Sequence, residues 1–203
     1  MTDSSGSSGA SGSSESEVVA VFGGSFNPPH LGHVLMAVVV LNTEPVVDRV
    51  LVVPTYSHPF AKQLAPFEDR VRMTELAMQG IARVDVSRVE ETLGGESLTL
   101  RTLEHLRAEH PAWKLRLVMG ADLLAESHKW YAFEKIAAMA PPIVLGRAGI
   151  VAPDAPDAIL PDVSSTEIRG KIARGQWDEL RAVLPRAVGE YIRAQGLYRD
   201  GAT

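Results

Sequence analysis

The chain has 203 residues, no cysteine and a formal net charge of −5 at pH 7, which together exclude several classes of protein. The absence of cysteine excludes a disulfide framework, a thiolate metal site and a thiol nucleophile. The negative charge disfavours a broad electrostatic interaction with nucleic acid, and the longest apolar runs are far short of the roughly 20 residues that span a bilayer. We therefore expect a cytoplasmic protein without nucleic-acid or membrane partners.

The first seventeen residues, "MTDSSGSSGASGSSESE", are almost entirely serine, glycine and acidic residues. Their small apolar surface cannot offset the conformational entropy lost on folding, so we predict that residues 1–17 form a disordered tail. Residues 18–203 are long enough for one domain of ordinary size with a hydrophobic core. No second domain is needed.

This domain begins with two short apolar runs that predict strands. The first is Val18–Phe22, which Gly23 and Gly24 close, and the second is Arg49–Pro54. Between them, "LGHVLMAVVVLNT" is long enough for a helix, although valine is a poor helix former. The three segments together predict a first strand–helix–strand unit.

Two amphipathic helices and a strand between them are predicted next. The stretch "PFEDRVRMTELAMQ" has helical periodicity, and one face of this helix carries Phe67, Val71, Thr74 and Met78. "RVDVSRV" has the pattern of a strand. "SLTLRTLEHLRAEH" predicts a helix whose inward face carries Thr99, Leu103 and Leu106.

The last part of the chain continues this alternation and then changes. "KLRLVMG" predicts a strand, "ADLLAESHKWYAFEKIAAMA" a helical segment and "PIVLGR" one more strand. A loop rich in proline and aspartate follows, "GIVAPDAPDAILPD", and glycines end two short helices in "SSTEIRGKIARG" and "PRAVGEYIRAQG". Strands that alternate with helices imply right-handed crossovers. The predicted fold is therefore an α/β, Rossmann-like doubly wound parallel sheet with a small C-terminal helical portion.

The stretch "GGSFNPPHLGH", Gly23–His33, directly follows the first predicted strand. In open parallel sheets ligands bind beyond the C-terminal ends of the strands, and glycines there let backbone N–H groups approach a ligand. The helix that we expect to begin near Pro29 points its free N–H groups and positive dipole end to the same place. This pattern predicts an anion site. Since the dipole contributes only about 0.3–1 kcal/mol, cationic or donor side chains must add to it.

His30 and His33 lie three residues apart and therefore on one face of this helix. Both imidazoles can donate hydrogen bonds to phosphate oxygens. A structural alternative is that one imidazole caps the helix while the other packs in the core. Two histidines at this spacing could also bind zinc, but no cysteine or third nearby histidine completes a ligand set, so we predict no metal site in the protein.

"GGSFNPPHLGH" resembles the G-G-[ST]-F-[DN]-P-x-H-x-G-H signature of the nucleotidyltransferase superfamily, and in detail the chain resembles the bacterial nicotinate-nucleotide adenylyltransferases. The likeness covers nearly all of residues 18–199, since "FEDRVRMTELA", "GADLLAESHKW", "SSTEIR" and "YIRAQGLYR" follow in the order typical of that family. The resemblance implies transfer of AMP from ATP to nicotinate mononucleotide, a pyridine mononucleotide, giving nicotinate adenine dinucleotide and pyrophosphate. Mg²⁺ would enter with ATP.

The resemblance also implies a set of site residues, carried over position by position. Catalysis is implied for His30, His33 and Arg169. ATP binding is implied for Gly23, Gly24, Ser25, Phe26, His30, His33, Ser164, Ser165, Thr166 and Arg169. Binding of the pyridine nucleotide is implied for Asn27, Thr99, Asp122, Trp130 and Tyr131. The attacking group is already an anionic phosphate, so no protein nucleophile is required.

Three of these assignments have structural alternatives. Ser164 and Glu167 have the spacing of a helix capping box, which is compatible with phosphate binding at the same helix start. Asp122 opens a helix, where a carboxylate is favourable to the helix dipole without any ligand. Trp130 and Tyr131 could be core residues, whereas the resemblance implies that this pair stacks on the pyridine ring.

The chain departs from the family pattern at two places that concern acceptor recognition. The tyrosine of a common Ser-Tyr-Thr sequence is replaced by Leu98, although Thr99 is kept. A common Pro-Pro-His-Lys sequence is replaced by "SHPFAKQ", in which His58 and Lys62 are the candidate substitutes. The remaining alternatives are adenylyl transfer to nicotinamide mononucleotide or to another phosphate, and a nucleotide-binding regulator without turnover.

Overall fold

A computed structural model of the protein describes residues 16–57, 64–148 and 158–199. The strands in these residues are β1 (Val18–Gly24), β2 (Arg49–Pro54), β3 (Val84–Val86), β4 (Lys114–Gly120), β5 (Pro142–Arg147) and β6 (Ala158–Leu160). The α-helices in the same residues are α1 (Leu31–Thr43), α2 (Phe67–Met78), α3 (Val89–Leu93), α4 (Thr99–Glu109), α5 (Ala121–Ala125), α6 (Phe133–Met139), α7 (Ser165–Ala173) and α8 (Arg186–Gln195). Residues 1–15 of the predicted tail, His58, Lys62 and residues 149–157 lie outside the described residues.

The described strands form one sheet in the order β3-β2-β1-β4-β5-β6, and every neighbouring pair is parallel. The chain moves outward from β1 through β2 to β3, crosses over and returns beside β1 as β4. The C-terminal ends of β1 and β4 are therefore neighbours at the point where the connections diverge. This is the position at which ligands bind in open α/β sheets. The predicted doubly wound parallel sheet is confirmed.

Side chains alternate along each strand, so both faces of the sheet carry apolar residues, and helices cover both faces. In β1, Ala20 and Phe22 face an apolar cluster that includes α1, while Val19 and Val21 face a second cluster that includes α4 and α6. Strands buried on both faces have nearly continuous apolar sequences, as these do. The predicted helix α1 forms in spite of its valines because its inward side, including Val40, is buried against the sheet.

A third apolar cluster joins the C-terminal part of the chain to α2. It contains Met73 of α2, Ile168 and Ile172 of α7, and Val188 and Ile192 of α8. Glycines with positive φ follow both of these C-terminal helices, as predicted. The predicted C-terminal helical portion is therefore confirmed.

The inward faces predicted for α2 and α4 are largely confirmed. On both helices the predicted aliphatic residues are buried, and so is Thr74. Phe67 and Thr99, the first residues of their helices, are only half-buried. Both lie at the edge of the sheet where the ligand site is expected.

The prediction of one helical segment between Ala121 and Ala140 is wrong, because the helix is interrupted. A 3₁₀ turn covers Ser127–Lys129 between α5 and α6. Trp130 then has an extended backbone, and Ala132 has a left-handed φ of 53°. These conformations cannot continue a helical hydrogen-bond ladder. The interruption removes Trp130 and Tyr131 from any helix.

Two further short elements differ from the prediction. The strand in "RVDVSRV" is only the three residues of β3, because α3 begins at Val89. The segment predicted as a proline- and aspartate-rich loop contains β6, which extends the sheet beside β5. In the part of the chain that the structure describes, no helix combines the length and the apolar character needed to cross a membrane.

Candidate active site

The glycine turn after β1 is shaped by the ring of Phe26. Phe26 has a left-handed φ of 46° and is 1% exposed, with its ring edge-on to Phe22 at a centroid distance of 5.3 Å. A bulky residue is strained in this conformation, and burial of the ring offsets the strain. A Cβ atom at Gly24 would lie 3.1 Å from the ring, so a side chain there would displace it. Phe26 can therefore present only its backbone to a ligand, while Gly23 is exposed.

His30 and His33 lie against each other at the start of α1. The helix begins at Leu31, two residues after Pro29, and His30 is its extended N-cap residue. The ring centroids are 3.9 Å apart, and the backbone N–H of His30 donates to Nδ1 of His33 at 3.1 Å. His30 is 7% exposed and His33 is half-buried. One imidazole thus stabilises the helix start, and both rings share one side of the turn, as the spacing predicts.

The start of α7 is docked on the turn that leads to these histidines. Oγ of Ser165 donates to the carbonyl oxygen of Pro28 at 2.9 Å, across 137 positions of the sequence. Nη1 of Arg169 donates to the carbonyl oxygen of Asn27 at 2.8 Å, and its Nη2 lies 3.4 Å from Oγ1 of Thr166. The fold therefore brings together the two segments that the sequence predicts to bind phosphates.

Ser164 caps α7, but it does so without the predicted partner. Its Oγ accepts from the backbone N–H of Thr166 at 3.2 Å. The carboxylate of Glu167 instead contacts Nζ of Lys171 at 2.9 Å, and this contact raises the pKa of Lys171. The N-cap is confirmed, whereas the reciprocal bond of a capping box is replaced by an i,i+4 ion pair on the same helix.

Asn27 is held by donors from distant parts of the chain. Its Oδ1 accepts from the phenol OH of Tyr198 at 2.7 Å and from the backbone N–H of Ala65 at 3.1 Å. The residue is 1% exposed, and its Nδ2 has no hydrogen-bond partner among the described residues. The side chain predicted to bind the pyridine nucleotide is therefore also a structural link between three segments.

Arg70 is a buried cation that also holds the loops around the site. It is 1% exposed and donates from Nε to the carbonyl oxygen of Ala65 at 2.9 Å and from Nη1 to that of Ser25 at 3.0 Å. A longer contact of 3.4 Å joins Nη2 to the carbonyl oxygen of Tyr56. Burial lowers the pKa of this guanidinium. Arg70 thereby connects the turns that follow β1 and β2.

Arg70 and Tyr198 hold the site, but the sequence patterns predict no role for either residue. A signal for Arg70 exists, because it lies three residues after Phe67 and four before Thr74 and so belongs to the inward face of α2. Tyr198 lies in "YIRAQGLYR", one of the segments that resemble the family, but only its contact with Asn27 shows a role for it.

The loop after β2 is held by residues that precede α4. The backbone N–H groups of Tyr56 and Ser57 donate to Oγ of Ser97 at 3.0 and 3.1 Å. The N–H of Tyr56 also lies 3.0 Å from Oε2 of Glu90. Thr99 follows as the first residue of α4. The segment around Leu98 is thus anchored beside the C-terminal end of β2.

Asp122 lies directly beyond β4, at the second position of α5. A side chain at Gly120 would collide with Oδ1 of this aspartate, so glycine leaves room for the carboxylate. Trp130 is half-buried against the cluster on the α4 side, with its ring edge-on to Phe133 at 6.1 Å. Tyr131 is 72% exposed. Packing in the core therefore explains part of the Trp130 surface but not Tyr131.

The arrangement at this edge of the sheet suits an anion. The N-terminal ends of α1 and α7, the guanidinium of Arg169 and the two imidazoles lie around the turn at Asn27 and Pro28. Among the residues that the structure describes, no group of three or more His, Cys, Asp or Glu side chains could hold a metal ion. The groups that surround the turn at Asn27 and Pro28 include hydrogen-bond donors and the positive charge of Arg169.

Comparison with known proteins gives one family match and many similar sequences. A sequence profile of the cytidylyltransferase-like family matches residues 21–171. A protein of Anaeromyxobacter dehalogenans named "Probable nicotinate-nucleotide adenylyltransferase" is 47% identical over 185 residues, covering 89% of this chain and 96% of that protein. A protein of Thermus thermophilus with the same name is 36% identical over 189 residues, covering 89% of this chain and 99% of that protein.

The fold is also similar to that of a solved enzyme. The nicotinic acid mononucleotide adenylyltransferase of Plasmodium falciparum, in complex with NaAD, superimposes with a TM-score of 0.78. The match covers 90% of this chain and 97% of that chain at 18% identity. At this identity the likeness supports the fold alone.

Proposed function

The chain belongs to the cytidylyltransferase-like family and, within it, to the nicotinate-nucleotide adenylyltransferases, and from this premise we propose that it transfers AMP from ATP to nicotinate mononucleotide in NAD biosynthesis. An oxygen of the acceptor phosphate attacks the α-phosphorus of ATP. The bond from that phosphorus to the oxygen bridging to the β-phosphate breaks. The products are nicotinate adenine dinucleotide and pyrophosphate.

The observation that carries this proposal is the docking of α7 on the histidine turn. Contacts from Ser165 to Pro28 and from Arg169 to Asn27 assemble a single anion-binding surface from two helix starts. A polyphosphate suits such a surface because several donors meet several negative charges. We infer that the hydroxyls of Ser164, Ser165 and Thr166, together with Arg169 and the backbone of residues 23–26, bind ATP.

His33 is proposed to donate to the phosphates from Nε2. Because Nδ1 accepts the N–H of His30, the neutral ring carries its hydrogen on Nε2. A preorganised donor to charge that develops on the α-phosphate or the departing pyrophosphate contributes about 2.7–4 kcal/mol. Alignment of the two reactants supplies roughly 7–11 kcal/mol more. These two effects suffice without a protein nucleophile, since the attacking phosphate is an anion.

The acceptor is proposed to lie on the side of the sheet that carries α4 and α6. Asp122 accepts hydrogen bonds from ribose hydroxyls, and Thr99 lies near the pyridine carboxylate. The exposed ring of Tyr131, together with Trp130, provides a flat apolar surface for the pyridine ring. Asn27 contributes its Nδ2, the polar atom of its side chain that the described residues leave without a partner.

Adenylyl transfer from ATP uses a divalent cation, which we propose to be Mg²⁺. The described residues offer no cluster that would hold the cation by itself. In this proposal the phosphates of ATP supply most of its ligands, and no step depends on a protein ligand. The cytoplasmic location remains a prediction from the sequence.

A pyrophosphate-release assay with ATP, Mg²⁺ and several acceptors tests the proposed reaction. We expect the highest kcat/KM with nicotinate mononucleotide, a lower value with nicotinamide mononucleotide and no release with phosphopantetheine. A higher kcat/KM with nicotinamide mononucleotide would assign the amide as acceptor, which the replacement by Leu98 leaves open. Absence of release with both pyridine mononucleotides would contradict the proposal.

A further inference from the structure

Tyr198 connects the last described residues of the chain to the turn that carries the histidines. Its side chain is part of the third apolar cluster, with 4% of the residue exposed. The phenol donates to Oδ1 of Asn27 at 2.7 Å, across 171 positions of the sequence. Burial raises the pKa of Tyr198, so the phenol keeps its proton and remains a donor throughout the physiological pH range.

Asn27 is fixed both at its side chain and at its backbone. Oδ1 accepts from Tyr198 and from Ala65, and the carbonyl oxygen accepts from Arg169. The amide cannot exchange Oδ1 and Nδ2 by rotation, because its NH₂ group would then face two donors. The present orientation leaves Nδ2 buried without a partner among the described residues, which is unfavourable by itself. The two donors to Oδ1 therefore impose the orientation of this side chain.

The backbone at Asn27 and Pro28 also carries the contacts that dock α7. Arg169 donates to the carbonyl oxygen of Asn27, and Ser165 donates to that of Pro28. A backbone rotation at Asn27, no longer opposed by the bonds to its side chain, would displace the guanidinium and the hydroxyl relative to the turn that leads to His30. Because a misplacement of about 1 Å can cost about 10²-fold in rate, a group that prevents this rotation affects the reaction.

We propose that Tyr198 is a positioning residue of the active site, which holds Asn27 so that Arg169 and Ser165 stay in register with the histidine turn. The inference rests on the proposed function, because it assigns these groups to the ATP phosphates. Tyr198 acts through Asn27 and not on the reacting atoms.

The test compares Tyr198→Phe with Tyr191→Phe in the full chain. Each substitution removes one phenol hydroxyl from the third cluster, since Tyr191 packs against that cluster and donates to Oδ1 of Asp69 at 2.8 Å. Calorimetry measures the Kd of ATP in the presence of Mg²⁺, and steady-state assays measure kcat and the KM of nicotinate mononucleotide. Thermal unfolding confirms that each variant is fully folded at the assay temperature, and under that condition a loss of stability alone leaves the apparent Kd unchanged.

We expect Tyr198→Phe to raise the Kd of ATP and lower kcat by about tenfold each, the size expected for one buried hydrogen bond. The KM of nicotinate mononucleotide should rise as well, because Asn27 is also proposed to bind the acceptor, whereas Tyr191→Phe should match the wild type in all three quantities. The proposal is overturned if the Kd of ATP in Tyr198→Phe stays within about twofold of wild type, or if Tyr191→Phe shows an equal rise.

Asn27→Ala provides a second route if Tyr198→Phe does not fold. It removes the same hydrogen bond from the acceptor side, so we expect a similar rise in the Kd of ATP, and an unchanged Kd would overturn the proposal. Where both variants fold, the double variant should raise the Kd of ATP no further than either single variant, because the two residues act as one unit.

ATP binding is measured without an acceptor. A wild-type protein that binds ATP but releases no pyrophosphate would therefore refute the proposed reaction, while the Kd values still decide the role of Tyr198.

Discussion

The two nitrogen atoms of His33 have different tasks in this fold. Nδ1 accepts the backbone N–H of His30 and so stabilises the start of α1, which leaves Nε2 as the donor of the neutral ring. The structural alternative for the histidine pair is therefore compatible with the proposed function. A substitution at this position removes both interactions, and its effects on stability and on turnover have to be measured separately.

We predict that His33→Ala lowers kcat by about 10²- to 10³-fold, because it removes a preorganised donor to the developing charge. Loss of the acceptor for the His30 N–H costs about 0.5–2 kcal/mol of stability and leaves the fold intact. Steady-state kinetics and thermal unfolding measure the two effects. His110→Ala is the control, because His110 is exposed just after α4 and stacks on Trp113. Turnover of His33→Ala near the wild-type value would remove His33 from the mechanism.

Among the helices, α2 has a structural role in addition to its apolar packing. Its residue Arg70 holds the carbonyl oxygens of Ser25 and Ala65 at 3.0 and 2.9 Å, and that of Tyr56 at 3.4 Å. Buried carbonyl groups need donors, and a planar guanidinium supplies several in fixed directions. The helix thereby joins the turn after β1 to the loop after β2.

Arg70→Lys tests this role of α2. A lysine keeps the charge but cannot reach all three carbonyl groups, so we expect a loss of about 1–3 kcal/mol for each carbonyl left without a donor. The free energy of unfolding in urea is the measurement. Arg72→Lys on the same helix is the control, since Arg72 is exposed and pairs with Glu75, and it should change stability by less than about 0.5 kcal/mol. Equal stabilities of the two variants would contradict the role of Arg70.

The interruption between α5 and α6 shows that local sequence patterns do not determine where a helix ends. Residues 121–140 contain good helix formers, which is why a continuous helical segment is predicted from them. Trp130 and Phe133 pack against the cluster on the α4 side, and the positive φ of Ala132 accommodates the turn between them. Tertiary packing thus overrides a modest preference for helix.

For the whole molecule, we propose that the chain from residue 18 onward is one cooperative domain. The three apolar clusters are linked through shared elements. Met78 of α2 belongs to the cluster on the α1 side of the sheet, and Met73 of the same helix belongs to the C-terminal cluster. A helix that is part of two clusters cannot leave one without disturbing the other.

Ile192→Ala tests this cooperativity from the C-terminal side. Ile192 is fully buried in the C-terminal cluster, so its truncation should cost about 2–5 kcal/mol and shift a single unfolding transition. Circular dichroism and tryptophan fluorescence should report the same midpoint. Val46→Ala is the control, because Val46 is 57% exposed and its truncation should cost less than about 0.5 kcal/mol. Two separate transitions in Ile192→Ala would show that the C-terminal helices form a unit of their own.

The sequence by itself determined the order of most strands and helices, the parallel sheet, the glycine turn, the paired histidines and the cap at Ser164. These features depend on periodicity and on spacings of a few residues, and the local geometry of helices, strands and turns follows directly from both. The likeness of the signature then indicated which chemistry the turn supports.

Only the tertiary structure decided which groups hold that turn. Ala65, Arg169 and Tyr198 meet at Asn27 from positions far apart in the chain, and contacts of this kind leave no periodic pattern. The periodicity of α2 places Arg70 on the inward face, but it does not show which groups this guanidinium binds. Arg70 is buried because the carbonyl groups of three loops need donors, and that need exists only once the fold has removed those loops from water.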